Sequence, residues 1–130
     1  MIEANEFMNT SPDSASMLVR RGEVIKHKLN AVVVNKKSGT GYTVKVEMDT
    51  EQLQANSQIR CNCTCDDFQF RWAWVLDQKG ALLDRQKYVL TPPNITNPQH
   101  VLGACKHINE FIRNELIHGV RIFSPKQGEL

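Results

Sequence analysis

Cys61-Asn62-Cys63-Thr64-Cys65-Asp66-Asp67-Phe68, answered further along by Ala104-Cys105-Lys106-His107-Ile108, is the stretch on which the reading of this chain turns. All four cysteines lie in these two segments, three of them within five residues. The start of the chain, Met1 to Phe7, has no basic region followed by an apolar run. A secretory leader is therefore not expected, and a reducing compartment is the default. In that setting clustered cysteines read as metal ligands in preference to disulfides. Cys63-x-Cys65 and Cys105-x-His107 offer the thiolate and imidazole donors of a closed, tetrahedral structural Zn²⁺ site. Residues i and i+2 point about 200° apart on an α-helix, so Cys105 must precede a helix that carries His107 in its first turn. Cys65 likewise sits at the head of a second helix, and two positive helix ends then face three thiolates. Cys61 leaves alternatives open. On an extended strand it shares a side with Cys63 and Cys65 and could replace a ligand, and Cys61, Cys63, Cys65 and Cys105 together could hold an iron–sulfur cluster. Unmetallated thiols are the remaining possibility.

Working outward, the segment upstream is rich in β-branched residues from Val24 to Asn35, turns through Lys36–Gly41 and alternates from Tyr42 to Met48. Tyr42, Val44, Val46 and Met48 fall on one face. This predicts a hairpin, followed by a short third strand at Gln58–Arg60. Downstream, Asp66 or Asp67 is suited to cap a helix running to about Gln78 and ended by Gly80. Its core stripe is Phe68, Trp72, Val75 and Leu76, with Phe70 and Trp74 on another side. Ala81–Gly103, with Pro92-Pro93 and Asn97-Pro98, reads as extended loop with one strand at Gln86–Leu90. A last helix is expected from Cys105 to His118, burying Ile108, Phe111, Ile112 and Leu116 and stopped by Gly119. Residues 1–10 read as a flexible arm, Ser11-Pro12 as the start of a short helix reaching Gly22, and 124–130 as a tail. The expected fold class is α+β, one domain over 11–123: a small three-stranded antiparallel sheet plus two to three helices, stapled by a zinc site.

The chain of 130 residues is 41% hydrophobic and 23% charged, the composition of a folded globular protein with no membrane-spanning run. Net charge is only +2, but Arg20, Arg21, Lys26, Lys28, Lys36, Lys37 and Lys45 stand in one segment against the single acid Glu23. That segment is either a phosphate-facing patch or a solvated sheet face. Interleaved aromatics of the single-strand-binding kind are absent from it.

The pattern Cys63-Thr64-Cys65-Asp66-Asp67-Phe68 followed by Ala104-Cys105-Lys106-His107-Ile108 resembles the SWIM zinc finger, C-x-C, a variable gap, then C-x-H. The resemblance covers roughly residues 57–116. It implies a strand feeding the first pair and a helix following the second. Asp66 stands where the family often has proline. With Phe68-Gln69-Phe70-Arg71-Trp72 and Thr96-Asn97-Pro98, the chain is also similar to small SWIM-like proteins of tailed bacteriophages. This implies a virion or phage-associated structural protein that binds other proteins within a larger assembly, located in the cytoplasm or the virion.

The other polar candidates have simpler readings. His27, His100 and His118 lack a second ligand at useful spacing and read as surface or capping residues. Asp66 and Asp67 are adjacent and cannot converge as an acid–base pair, so capping explains them better. Phe70 and Trp74 are the candidates for a protein interface, because one helix in a small domain cannot bury two opposite sides unaided. Four protein ligands close the zinc shell, so the chain is not expected to be an enzyme or to take a small-molecule substrate. The expected role is a non-catalytic interaction module. The alternatives are a nucleic-acid-binding module using the basic 20–45 segment, and an iron–sulfur or thiol redox protein.

Overall fold

Five antiparallel strands form one sheet in the order β1-β5-β4-β3-β2. The computed structural model describes residues 1–7, 17–22, 24, 25 and 27–122, with side chains in the last helix described to residue 116. The centre of the sheet is the predicted hairpin, β3 (Lys28–Asn35) and β4 (Gly41–Met48), with β5 (Gln58–Cys63) on its other side. Alternation sets the faces. Leu29, Ala31 and Val33 of β3, Val44, Val46 and Met48 of β4, and Ile59, Cys61 and Cys63 of β5 point into one core.

The class is α+β as expected, but the sheet is wider than three strands. Two segments read otherwise from the sequence supply the edges. Met17–Arg21 forms β2 against β3, where a helix reaching Gly22 was expected, and the Ser11-Pro12 start lies outside the described residues. Cross-strand pairing overrides the local signal here, since Val19 lies opposite Val33 and Met17 is buried beside the hairpin. Ile2–Glu3 forms β1 along β5, so residues 2–7 are no loose arm. A 3₁₀ turn at Ala4–Phe7 follows, and Ala4 and Phe7 are fully buried. Beyond β1 the same edge of β5 is met by Ala81–Leu83, through Cys61 N–H to Ala81 O and Leu83 N–H to Cys61 O, both 3.0 Å.

Both helices lie on the core face. The first begins at Asp66, passes through a π-helical turn at Phe68–Trp72 and continues as α1 (Ala73–Gln78), closed by Gly80 at φ 67°. Phe68, Trp72, Val75 and Leu76 are all buried, as their spacing predicts. In the π turn the Ala73 N–H reaches back to Phe68 O. The carbonyls of Phe70 and Arg71 accept instead from the Thr96 hydroxyl at 2.6 Å and the Asn97 amide at 3.3 Å. Ala81–Gly103 is extended loop, and at Gln86–Leu90 it holds a 3₁₀ turn, Arg85–Lys87, and not a strand. Asp84, at φ 55°, turns the chain out of sheet geometry just before it. The final helix, α2 (Lys106–Ile122), buries Ile108, Phe111 and Ile112. It runs through Gly119, which is therefore not its stop. Arg21 of β2 pairs with the buried Glu115 of α2 at 2.8 Å, fixing helix to sheet.

Candidate metal centre

Cys63, Cys65, Cys105 and His107 converge at one end of the sheet, their ligand atoms all within 4.8 Å of one another. Each side chain arrives for a local reason. Cys63 is the last residue of β5 and faces the core. The strand ends there, and a bend at Thr64 and Cys65 folds the second sulfur back towards the first. Thr64 is held against β4 by its N–H to Thr43 O at 3.1 Å, and Thr43 N–H returns to the Thr64 hydroxyl at 3.0 Å. Cys105 immediately precedes α2 and His107 lies in its first turn, the placement that the i, i+2 spacing demands.

Donor chemistry fits a small divalent ion. A tetrahedral ion with sulfur bonds of about 2.3 Å sets its ligands about 3.8 Å apart. Cys63 Sγ and His107 Nδ1 are 3.9 Å apart, and the widest separation permitted by the cluster exceeds the ideal by only about 1 Å. All four residues are buried. Without a cation this is an expensive place for thiolates. Burial, together with hydrogen bonds to Cys63 and Cys65, pushes the Cys105 thiol well up. The Cys63 thiol rises to about 12: its hydrogen bond with Cys105 pulls it down, but its bond to Cys65, burial and the Cys65 charge outweigh that. Cys65 moves the other way. Hydrogen bonds from Cys105 and Cys63, with His107 and the Phe68 N–H at 3.3 Å, hold it far below the usual thiol range. The metal-free cluster thus keeps one thiolate, and a bound cation would allow all three.

Cys61 is outside the group. It lies two residues up a regular strand from Cys63, a step of about 6.8 Å, roughly twice the separation that ligands of one ion require. It is fully buried in the apolar core, and burial followed by the Cys63 charge raises its thiol pKa.

The supporting residues were not visible in the sequence. Tyr42 lies over the His107 ring, centroids 4.4 Å apart, and Tyr88 donates from its hydroxyl to Cys63 O at 3.1 Å. Asn109, fully buried, donates its amide to Ala104 O and Cys105 O, each at 3.0 Å, and so fixes the backbone that presents Cys105. Asn97 does the same for the approach: its amide donates to Val101 O at 3.0 Å and accepts from Val101 N–H at 2.9 Å. Only the position of Asn109, one helical turn after Cys105, carries a trace of its role in the sequence.

The remaining candidates are dispersed. His27 places Nδ1 3.0 Å from Thr50 O, His100 lies 4.7 Å from the Trp74 ring, and the side chain of His118 is outside the described residues. Asp67 makes no cap; its carboxylate takes Arg71 at 2.9 Å and Trp72 Nε1–H at 3.1 Å, the second reach matching the wider π turn. Phe70 is 62% exposed and Trp74 half-buried. The basic segment does not form one patch. Arg20, Lys28 and Lys45 lie on the outer face of the sheet, Arg21 turns to the core side, Lys36 and Lys37 are at the hairpin tip, and Lys26 is outside the described residues. No helix among the described residues is long and apolar enough to cross a membrane. Comparison with protein-family models, curated proteins and solved structures gave no match to this chain.

Proposed function

We propose that this chain is a non-catalytic interaction module of the SWIM type whose Cys63, Cys65, Cys105 and His107 bind one structural Zn²⁺. The observation that carries the reading is the buried set of four protein donors, which leaves no open position for the water or substrate that a catalytic zinc needs. Three thiolates and an imidazole favour zinc over hard cations. The location of Cys61 in the core removes the fourth thiolate that an all-cysteine iron–sulfur cluster requires.

The partner is another protein, met through the face around the π turn. Phe70 is 62% exposed there, and Val89 and Ile95 beside it are 74% and 93% exposed. Gln69 donates to Val89 O and Thr96 to Phe70 O, so the loop is pinned around Phe70 and the apolar group is presented on a fixed frame. The likeness to SWIM-like phage proteins gives the setting, a multi-protein particle.

Elemental analysis of the purified chain should return one zinc per molecule. Substitution by cobalt(II) should give the intense visible bands of a tetrahedral thiolate site, unchanged by added azide. Iron with sulfide, a folded metal-free sample, or a spectrum altered by azide would overturn the reading. A photo-crosslinker at Phe70 should join the chain to protein in its native assembly, and adducts appearing only from a crosslinker on the opposite sheet face would remove the proposed docking face.

A further inference from the structure

The sheet face turned away from the helices carries Arg20, Lys28, Lys45 and Arg60. Two hollows of about 230 and 220 Å³ adjoin on it and share Lys45. The first includes Lys28, Asn30 and Asp84 in its lining, the second Thr43, Asn62, Thr64 and Lys87. The segment from Leu83 to Tyr88 walls both on one side. The acids on this face are already engaged: Glu47 holds Arg60 at 2.7 Å and Asp84 lies 3.6 Å from Lys87. Among the described residues Lys28 and Lys45 make no ion pair, and they are diagonal neighbours on adjacent strands, about 7–8 Å apart.

We propose that this trough binds a single strand of nucleic acid along its phosphodiester backbone. Each hollow is smaller than the roughly 300–1,000 Å³ of an enclosing small-molecule pocket, so the ligand is extended and lies across both. The charges on offer are lysine ammonium groups, point charges suited to phosphate, whereas planar carboxylates favour the arginine fork, and Arg60 has already spent its own on Glu47. Peptides usually join a sheet at an open edge, and the edge of β5 beside the trough is taken by β1 and Ala81–Leu83. A duplex presents its phosphates on a convex cylinder, which a walled trough of this size does not admit. The Thr43 and Thr64 side chains and Asn62 add neutral polar groups between the cations. The surface is distinct from the Phe70 face, and the inference rests on the sheet and not on the identity of the metal.

The test is fluorescence anisotropy of the full chain with labelled 20-nucleotide oligothymidylate, with metal content and circular dichroism measured on every sample. Contacts to about three phosphates predict a log–log salt slope near −2, or a roughly 20-fold loss of affinity between 50 and 200 mM salt. Lys45→Glu and, separately, Lys87→Glu should each weaken binding at least about tenfold and flatten that slope. Lys79→Glu, the same charge change on the helix side, should leave it within about twofold. Absence of binding at 50 mM salt, equal weakening by Lys79→Glu, or tighter binding of the matching duplex would overturn the proposal. Polyglutamate of equal charge should compete poorly; displacement as efficient as by unlabelled oligothymidylate would make the trough an acidic-peptide surface instead.

Discussion

Stripping the metal with a strong chelator at neutral pH should take the chain to its folding threshold. The ion joins the end of β5 to the start of α2 across the 39 residues from 66 to 104. Structural zinc contributes roughly 10–16 kcal/mol in small finger peptides, against about 5–15 kcal/mol of net stability for a whole domain. The remaining hold on α2 comes from Ile108, Phe111 and Ile112, about 1.5–3 kcal/mol each when fully buried, and from the Arg21–Glu115 pair. Those contacts act on the middle of the helix. The first turn and the approach from Val101 depend on the ion, Asn97 and Asn109. Hydrogen exchange should therefore accelerate first at residues 101–109, and the melting midpoint should fall by more than about 20 °C, since each kcal/mol shifts a domain of this size by roughly 3–5 °C. Circular dichroism melts and exchange mass spectrometry, with and without chelator, read both effects. A metal-free sample that melts within about 5 °C of the loaded one and stays protected at 101–109 would refute the staple.

Cys61→Ser should retain the metal while Cys63→Ser loses it, by elemental analysis; the reverse pattern would shift the ligand set upstream by two residues. Asn97→Ala removes three hydrogen bonds from a buried amide and should cost about 2–4 kcal/mol in denaturant melts while leaving zinc stoichiometry at one, and a cost under about 0.5 kcal/mol would dismiss it as a hub. Metal affinity should rise with pH, because Cys63 and Cys105 have raised pKa values and enter the empty site protonated, whereas Cys65 enters as thiolate. Loading displaces about two protons, so competition titrations from pH 6 to 8 should gain roughly two orders of magnitude per pH unit, and a slope near zero would contradict this proton inventory.

The hairpin, β5, the core stripe of the first helix and the ligand placement around α2 were legible because each is written in a local period or spacing. Val44, Val46 and Met48 alternate, and Cys105-x-His107 admits only one position relative to a helix start. What escaped depended on partners distant in sequence. Nothing in Met17–Arg21 announces a strand until Val33 is opposite, and Phe7 declares itself core only when Ala4 bonds to Ser57 O at 2.8 Å. Cys61 read as a possible ligand because an extended strand puts it on the right side; the end of β5 at Cys63 decides the matter. The basic run failed as a patch for the same geometric reason, since alternate residues of a strand face opposite ways and Arg21 parted from Arg20.

The π turn at Phe68–Trp72 makes the length of the chain at that point as consequential as its composition. One residue fewer would rewind it as ordinary α-helix, rotating everything on one side by about 100° against the other and shortening the rise by about 1.5 Å. The two sides are Cys65, committed to the metal group, and Leu76, committed to the core. Deleting Gln69, whose side chain is partly exposed and carries no donor to the metal, would therefore force the molecule to keep either its ion or its packing. The surplus residue works as a phase shifter between two periodic demands, and single-residue deletions in this turn should be far less tolerated than substitutions at the same exposed positions.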